Sequence, residues 1–128
     1  MQVRTLDTTR RRDVRQFIQL PFDLYRGCAE WVPPVRSGVR RTLDREHYPI
    51  YENVDADYFV AERDGETVGR IAAIDNRLYN DYHDARSAFF YYFDAVNDTA
   101  VSQALFDAAF DWARGRGLTE VLGPKGLV

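Results

Sequence analysis

Residues 89–112 read FFYYFDAVNDTAVSQALFDAAFDW, five consecutive aromatics that pass directly into an amphipathic helical pattern. Aromatic side chains suit a pleated, buried strand. Beyond them Val101, Leu105, Ala108 and Trp112 recur at helical spacing and form one apolar stripe, widened by Phe106, Ala109, Phe110 and Ala113. A strand that runs straight into a helix places free N–H groups and the positive end of the helix dipole at one end of a sheet, where anions are attracted. The connecting turn, Ala95-Val96-Asn97-Asp98-Thr99, contains no glycine, and Asp98-Thr99 reads as a helix cap.

Upstream, Tyr58 to Arg63 meets Asp64-Gly65 and resumes as Thr67 to Ile74. Two β-rich runs around Asp-Gly are a hairpin signal. Asn76 to Asp84 is polar and fits a loop or short helix. Downstream, Gly115 and Gly117 end the helix, and Thr119 to Leu122 forms a last short strand before Gly123-Pro124-Lys125-Gly126.

At the start, Gln2 to Leu6 is a strand candidate, and Asp7-Thr8-Thr9 supply capping residues for a helix carrying Val14, Phe17 and Ile18. Pro21 is expected to break that helix, because proline lacks the N–H that its interior needs. Phe22 to Tyr25 then form a second short turn closed by Gly27. Trp31-Val32-Pro33-Pro34 is extended, since residues before proline avoid the helical region. Val39 to Arg45 gives one or two helical turns, and His47 to Tyr51 a loop with aromatic anchors. Residues 27 to 57 are the least regular segment, of the kind that walls a binding site. The order is β-α-α-β-β-β-α-β in the α/β (α+β) class: an antiparallel meander, then a helix crossing to a parallel neighbour.

The 128 residues, 45% hydrophobic and 14% aromatic, suffice for the core of one domain spanning 1–128. A net charge of −3 gives no reason to expect nucleic acid or an anionic membrane as partner. The Arg10-Arg11-Arg12 run and the looser set Arg36, Arg40, Arg41 and Arg45 read as solvated helix faces. The aromatic run at 89–93 could stack nucleobases, but Asp84, Asp94 and Asp98 flank it, so packing between two layers is the better reading. With one cysteine no internal disulfide forms, and Cys28 is read as a buried or half-buried thiol. Cys28, His47 and His83 lack the paired spacing of a zinc site. No apolar run has the length of a membrane span and the N-terminus lacks a signal-peptide core, which gives a cytoplasmic expectation.

The element order, the hairpin AERDGETVGRIAAI at 61–74 and FFYYFDA feeding a helix resemble the first two-thirds of the GNAT fold of acyl-CoA-dependent N-acetyltransferases. FIQLPFDLYRG at 17–27, WVPP at 31–34, DWARGRG at 111–117 and GPKG at 123–126 resemble a bacterial family of longer GNAT-like proteins. The resemblance implies acetyl-CoA or another acyl-CoA as cofactor and a small-molecule or peptide amine as acceptor. It implies that Tyr92, Phe93, Asp94 and Ala95 line the pantetheine arm and that Asn97, Asp98, Thr99 and Ala100 face the diphosphate. A GNAT domain continues with another helix and strands. The resemblance therefore implies an N-terminal portion of such a domain, with a last strand whose exposed edge invites self-association.

The turn departs from the family's pattern, an Arg or Gln followed by spaced glycines. Glycine lets backbone N–H groups approach a bulky anion, and Asp94 and Asp98 add negative charge where a diphosphate would sit. Two unit charges about 6 Å apart repel by about 2–3 kcal/mol at an effective dielectric near 20. A non-catalytic GNAT-like scaffold or interaction module with a degenerate CoA site is the alternative this chemistry favours.

Acyl transfer needs a neutral amine, a donor to the thioester oxyanion and a general base. Asp94, at the end of the central strand, is the candidate base, with Glu62 and Asp75 at the hairpin ends behind it. Tyr79, Tyr82, Tyr91 and Tyr92 are candidate proton donors to a leaving thiolate.

Overall fold

A computed structural model describes residues 1–127. Five strands form one sheet in the order β1-β2-β3-β4-β5: β1 (Gln2–Thr5), β2 (Val54–Arg63), β3 (Glu66–Asn76), β4 (Ser87–Ala95) and β5 (Glu120–Leu122). The first four are antiparallel neighbours and β5 runs parallel to β4, the mixed sheet that the sequence order predicts. The helices are α1 (Arg11–Leu24), α2 (Arg36–Leu43), α3 (Arg77–His83) and α4 (Thr99–Gly115), with a short 3-10 turn at Pro49–Glu52. The region 76–84 is thus helical, with the Asn76 side chain accepting from the Tyr79 N–H at 3.1 Å as its cap.

The strands bury a core on each face. Phe17 and Ile18 of α1 and Val39 and Leu43 of α2 pack on Tyr58, Val60, Ala72, Ile74 and Phe89. On the other face Val101, Leu105 and Ala109 of α4 pack on Phe59, Ala61, Ile71 and Ala73. The stripe read from the sequence is buried at Val101, Leu105, Ala109 and Ala113, while Ala108 and Trp112 lie at its margin and Phe110, read as widening it, is exposed. Gly69 makes this approach close: a Cβ there would lie 2.6 Å from Leu105 Cδ1. The hairpin turns at Asp64-Gly65, both with positive φ, the conformation that makes Asp-Gly favourable there.

Three local expectations are corrected. Pro21 does not break α1, which continues through it to Leu24 with Pro21 buried. The cap of α1 is not Asp7-Thr8-Thr9: Arg10 holds that position with no side-chain cap, while Asp7 bonds Thr9 and the Asp13 carboxylate turns back to the Asp7 N–H at 2.8 Å. Cys28 is exposed, because it lies in the turn that follows α1 instead of on the packed face.

The run at 89–93 alternates into both layers, with one interruption. Arg70 pairs with Asp94 but Ala72 with Tyr91, so β4 carries one extra residue there, and Tyr92 takes a positive φ of 54°. This β-bulge shifts the alternation by one. Phe89 and Tyr92 therefore face α1, while Phe90 and Phe93 face α4.

Candidate functional site

The bulge sits where β4 loses its second neighbour. β4 pairs with β3 as far as Ala95, but with β5 only at Ser87, Ala88 and Phe89. The Lys125 N–H then donates to the Phe90 carbonyl at 2.9 Å. Gly123 passes so close that a Cβ there would lie 2.6 Å from the same carbonyl oxygen. From Tyr91 to Ala95 the β5-side edge of β4 has no strand partner among the described residues. An open edge of this kind can receive an extended, amide-bearing chain through backbone hydrogen bonds.

At the end of that edge the chain turns into α4. Asp98 caps the helix, its Oδ1 accepting from the Ala100 N–H at 2.9 Å, as the sequence predicts. Val96 N–H is taken by the Val68 carbonyl, and Val101 N–H by that of Asp98. The N–H groups of Asn97 and Thr99 have no hydrogen-bond partner among the described residues. The turn thus offers two donors in place of a glycine cradle.

Both of its acidic residues are compensated. Arg63 Nη1 lies 2.7 Å from Asp98 Oδ2, and this contact, with the Ala100 N–H, holds the Asp98 carboxyl below the ordinary range. Asp94 Oδ2 accepts from Arg70 Nε at 3.1 Å and Nη2 at 2.9 Å, and Oδ1 accepts from the Tyr25 hydroxyl at 2.7 Å. Arg70 is 4% exposed, and its guanidinium lies 4.8 Å from the Phe17 ring centroid and 5.2 Å from that of Tyr92. Burial pushes its pKa down and the Asp94 charge counters that. The repulsion anticipated between the two aspartates and a diphosphate is offset by two arginines that sequence reading left unassigned. Arg70 had a signal: it is the one charge inside the apolar run Val68 to Ile74, and such a charge must find a partner.

The carboxylates proposed as bases are engaged. Besides Asp94, Glu62 accepts from Arg4 at 3.1 Å and Gln16 at 2.9 Å, and these bonds hold its carboxyl below the ordinary range. Asp75 accepts from Arg116 and Asn80. Among the tyrosines, Tyr92 lines the bulge half-buried, with burial raising its hydroxyl pKa, and Tyr91 stands exposed at the open edge. Tyr79 packs on Phe89, and Tyr82 is 85% exposed on α3. The structure therefore brings Tyr91, Tyr92, Asp94, Asn97 and Thr99 to one end of β4 and leaves Tyr79, Tyr82, Glu62 and Asp75 elsewhere. Among the described residues no group of three or more His, Cys, Asp or Glu side chains is placed to hold a metal, and no helix is long and apolar enough to cross a membrane.

This architecture is the GNAT N-acetyltransferase fold. An aminoglycoside acetyltransferase from an uncultured soil metagenomic sample, solved with sisomicin, superposes with a TM-score of 0.67 at 16% identity, covering 98% of this chain and 77% of that one. An acetyltransferase from Clostridium acetobutylicum, solved with acetyl-CoA, gives 0.66 at 10% identity, covering 98% of this chain and 80% of that one. In sequence the chain is similar to the bacterial ceramide synthase of Caulobacter vibrioides, 33% identical over 116 residues and 90% of this chain. It is similar also to protein YghO of Escherichia coli, 30% identical over 122 residues and 91% of this chain. The chain spans 30% of the length of each of these two relatives. No family model matches it.

Proposed function

We propose that the chain supplies the acyl-thioester-binding, N-terminal portion of a GNAT-like N-acyltransferase. The carrying observation is the open edge of β4 from Tyr91 to Ala95, bulged at Tyr92 and ending on a turn with two unpaired N–H donors. In this reading the pantetheine arm of acetyl-CoA or another acyl-CoA lies along Tyr92, Phe93, Asp94 and Ala95. Its diphosphate meets the N–H groups of Asn97 and Thr99 at the start of α4, beside the capped Asp98 and Ala100. A neutral amine attacks the thioester carbon, the C–N bond forms, the C–S bond breaks and the thiol leaves with the proton lost by the amine.

The name of the Caulobacter relative supports one acceptor class. A ceramide is the amide of a long-chain amino alcohol, so the proposed acceptor is a primary amine of that kind, with the whole protein acting on it. Asp94 is in this reading a positioning residue: its two oxygens are committed to three hydrogen bonds, from Arg70 and Tyr25. The engagement of Asp94, Glu62 and Asp75 favours the second reading, a non-catalytic module that keeps the fold.

Titration calorimetry of the chain with CoA, on the wild type and on Thr99→Pro, tests the first reading. Thr99 is the first residue of α4, where proline is tolerated, and Asp98 before it is already extended. The substitution removes one donor and leaves the helix intact by circular dichroism. Saturable binding that weakens about tenfold is expected, the loss of one hydrogen bond to a charged group at about 1.5 kcal/mol. No saturable binding at millimolar CoA overturns the reading.

A further inference from the structure

Arg11 of the first arginine run and Arg40 and Arg45 of the second line one cleft together with Arg15. Between the first half of α1, the end of α2 and residues 44–47 lies a cleft of about 720 Å³. Arg11 and Arg15 line one wall, one helical turn apart, and Arg40 and Arg45 line the other. Val14 and Leu43 give it an apolar floor continuous with the core. Arg45 is held by Asp57 of β2 at 2.6 Å, which fixes its direction. Arg11, Arg15 and Arg40 are exposed and make no ion pair among the described residues. Two carboxylates share the cleft, and one of them, Asp44, is engaged by His47 at 2.9 Å.

Arg45 is neutralised by Asp57, but Arg11, Arg15 and Arg40 bring three further positive charges to a cleft whose own carboxylates are Asp44 and Glu46, a surplus that favours an anionic occupant. A guanidinium presents a planar fork of donors that matches phosphate oxygens in pairs. None of the lining residues belongs to β4 or to the turn before α4, so the cleft is separate from the proposed acyl-CoA position. We infer that the α1–α2 cleft is a phosphate-binding site, taking the phosphate of a soluble ester or of a lipid headgroup. The inference goes beyond the acyltransferase reading and stands without it.

The test uses the whole chain, wild type and the double variant Arg15→Gln/Arg40→Gln. Both positions are exposed, so the fold should survive, and circular dichroism checks it. Inorganic pyrophosphate is titrated by calorimetry, and vesicles of phosphatidylglycerol or phosphatidylcholine are tested by co-sedimentation. Saturable pyrophosphate binding that falls at least tenfold in the double variant, and stays intact in Thr99→Pro and Arg114→Gln, supports a soluble phosphate ester. Binding to phosphatidylglycerol but not phosphatidylcholine vesicles, lost in the double variant alone, supports a headgroup. Binding of neither probe overturns the inference, as does binding that the double variant retains or that Arg114→Gln weakens equally. Because Thr99→Pro probes the other site, failure here and failure of the acyl-CoA reading are separately visible.

Discussion

Arg70 Nη1 donates to the Phe17 carbonyl oxygen at 2.8 Å, the acceptor that Pro21, four residues on, leaves without its helical N–H. A side chain from the sheet thus replaces the missing backbone donor, which is why α1 runs through its proline and why its end is anchored next to Asp94.

That exchange predicts coupling between Pro21 and Arg70. Arg70→Met strands the Phe17 carbonyl and leaves Asp94 without its cation, a loss of about 3 kcal/mol. In a Pro21→Ala background the alanine N–H can take up the Phe17 carbonyl, so the same change should cost about 1 kcal/mol less. Urea denaturation of the four proteins in a double-mutant cycle measures the difference. Strict additivity would refute the exchange.

Tyr25 predicts an alkaline stability limb. Its hydrogen bond to Asp94, with burial, pushes the phenol up to about 12. A pKa raised above the unfolded value of about 10 gives stability that is complete below pH ~10 and is lost as pH rises toward ~12. Tyr25→Phe should be less stable at neutral pH and should lose less stability across that window. Equal slopes for the two proteins would contradict the assignment.

Asp13 predicts the acid limb. Burial would raise its pKa, but the Asp7 N–H and the Arg4 guanidinium outweigh burial and lower it. Stability from such a group is present above the unfolded pKa of about 3.9 and is lost as pH falls through the lower folded value. Asp13→Asn should cost about 1–3 kcal/mol at pH 7 and flatten the acid side of the stability profile. Thermal melts between pH 2 and pH 7 read both effects.

Gly69→Ala places a methyl 2.6 Å from Leu105 Cδ1 and 3.1 Å from Val101 Cγ1, both on fully buried side chains. Overpacking of this kind costs about 1–3 kcal/mol. Adding Leu105→Val should recover part of it, in the denaturation midpoint.

The fold was readable wherever a period or a turn residue carried it. Asp64-Gly65 marked the hairpin, the apolar stripe from Val101 to Trp112 marked α4, and Asp98 marked its cap. What the sequence hid was long-range. Proline at 21 signals a break only if no outside donor serves Phe17, and that donor sits at 70. Likewise Asp98 looked hostile to a diphosphate because its partner Arg63 lies 35 residues away in the chain, beside the hairpin turn. Arg11, Arg40 and Arg45 are solvated as the sequence suggests, but only the packing of α1 beside α2 brings them, with Arg15, to one cleft.

The extra residue in β4 also sets the chain's tolerance to length changes. Because alternation has a period of two, removing the extra residue Tyr91 would leave Phe89, Phe90, Tyr92, Phe93 and Asp94 in strict alternation, with the register to β3 on either side unchanged. Asp94 would keep its place beside Arg70, and Phe93 its place in the layer under α4. Deletion of Tyr91 should therefore be tolerated far better than deletion of a residue from a strand without such slack, because the contacts of Asp94 with Arg70 and of Phe93 with Phe106 survive it.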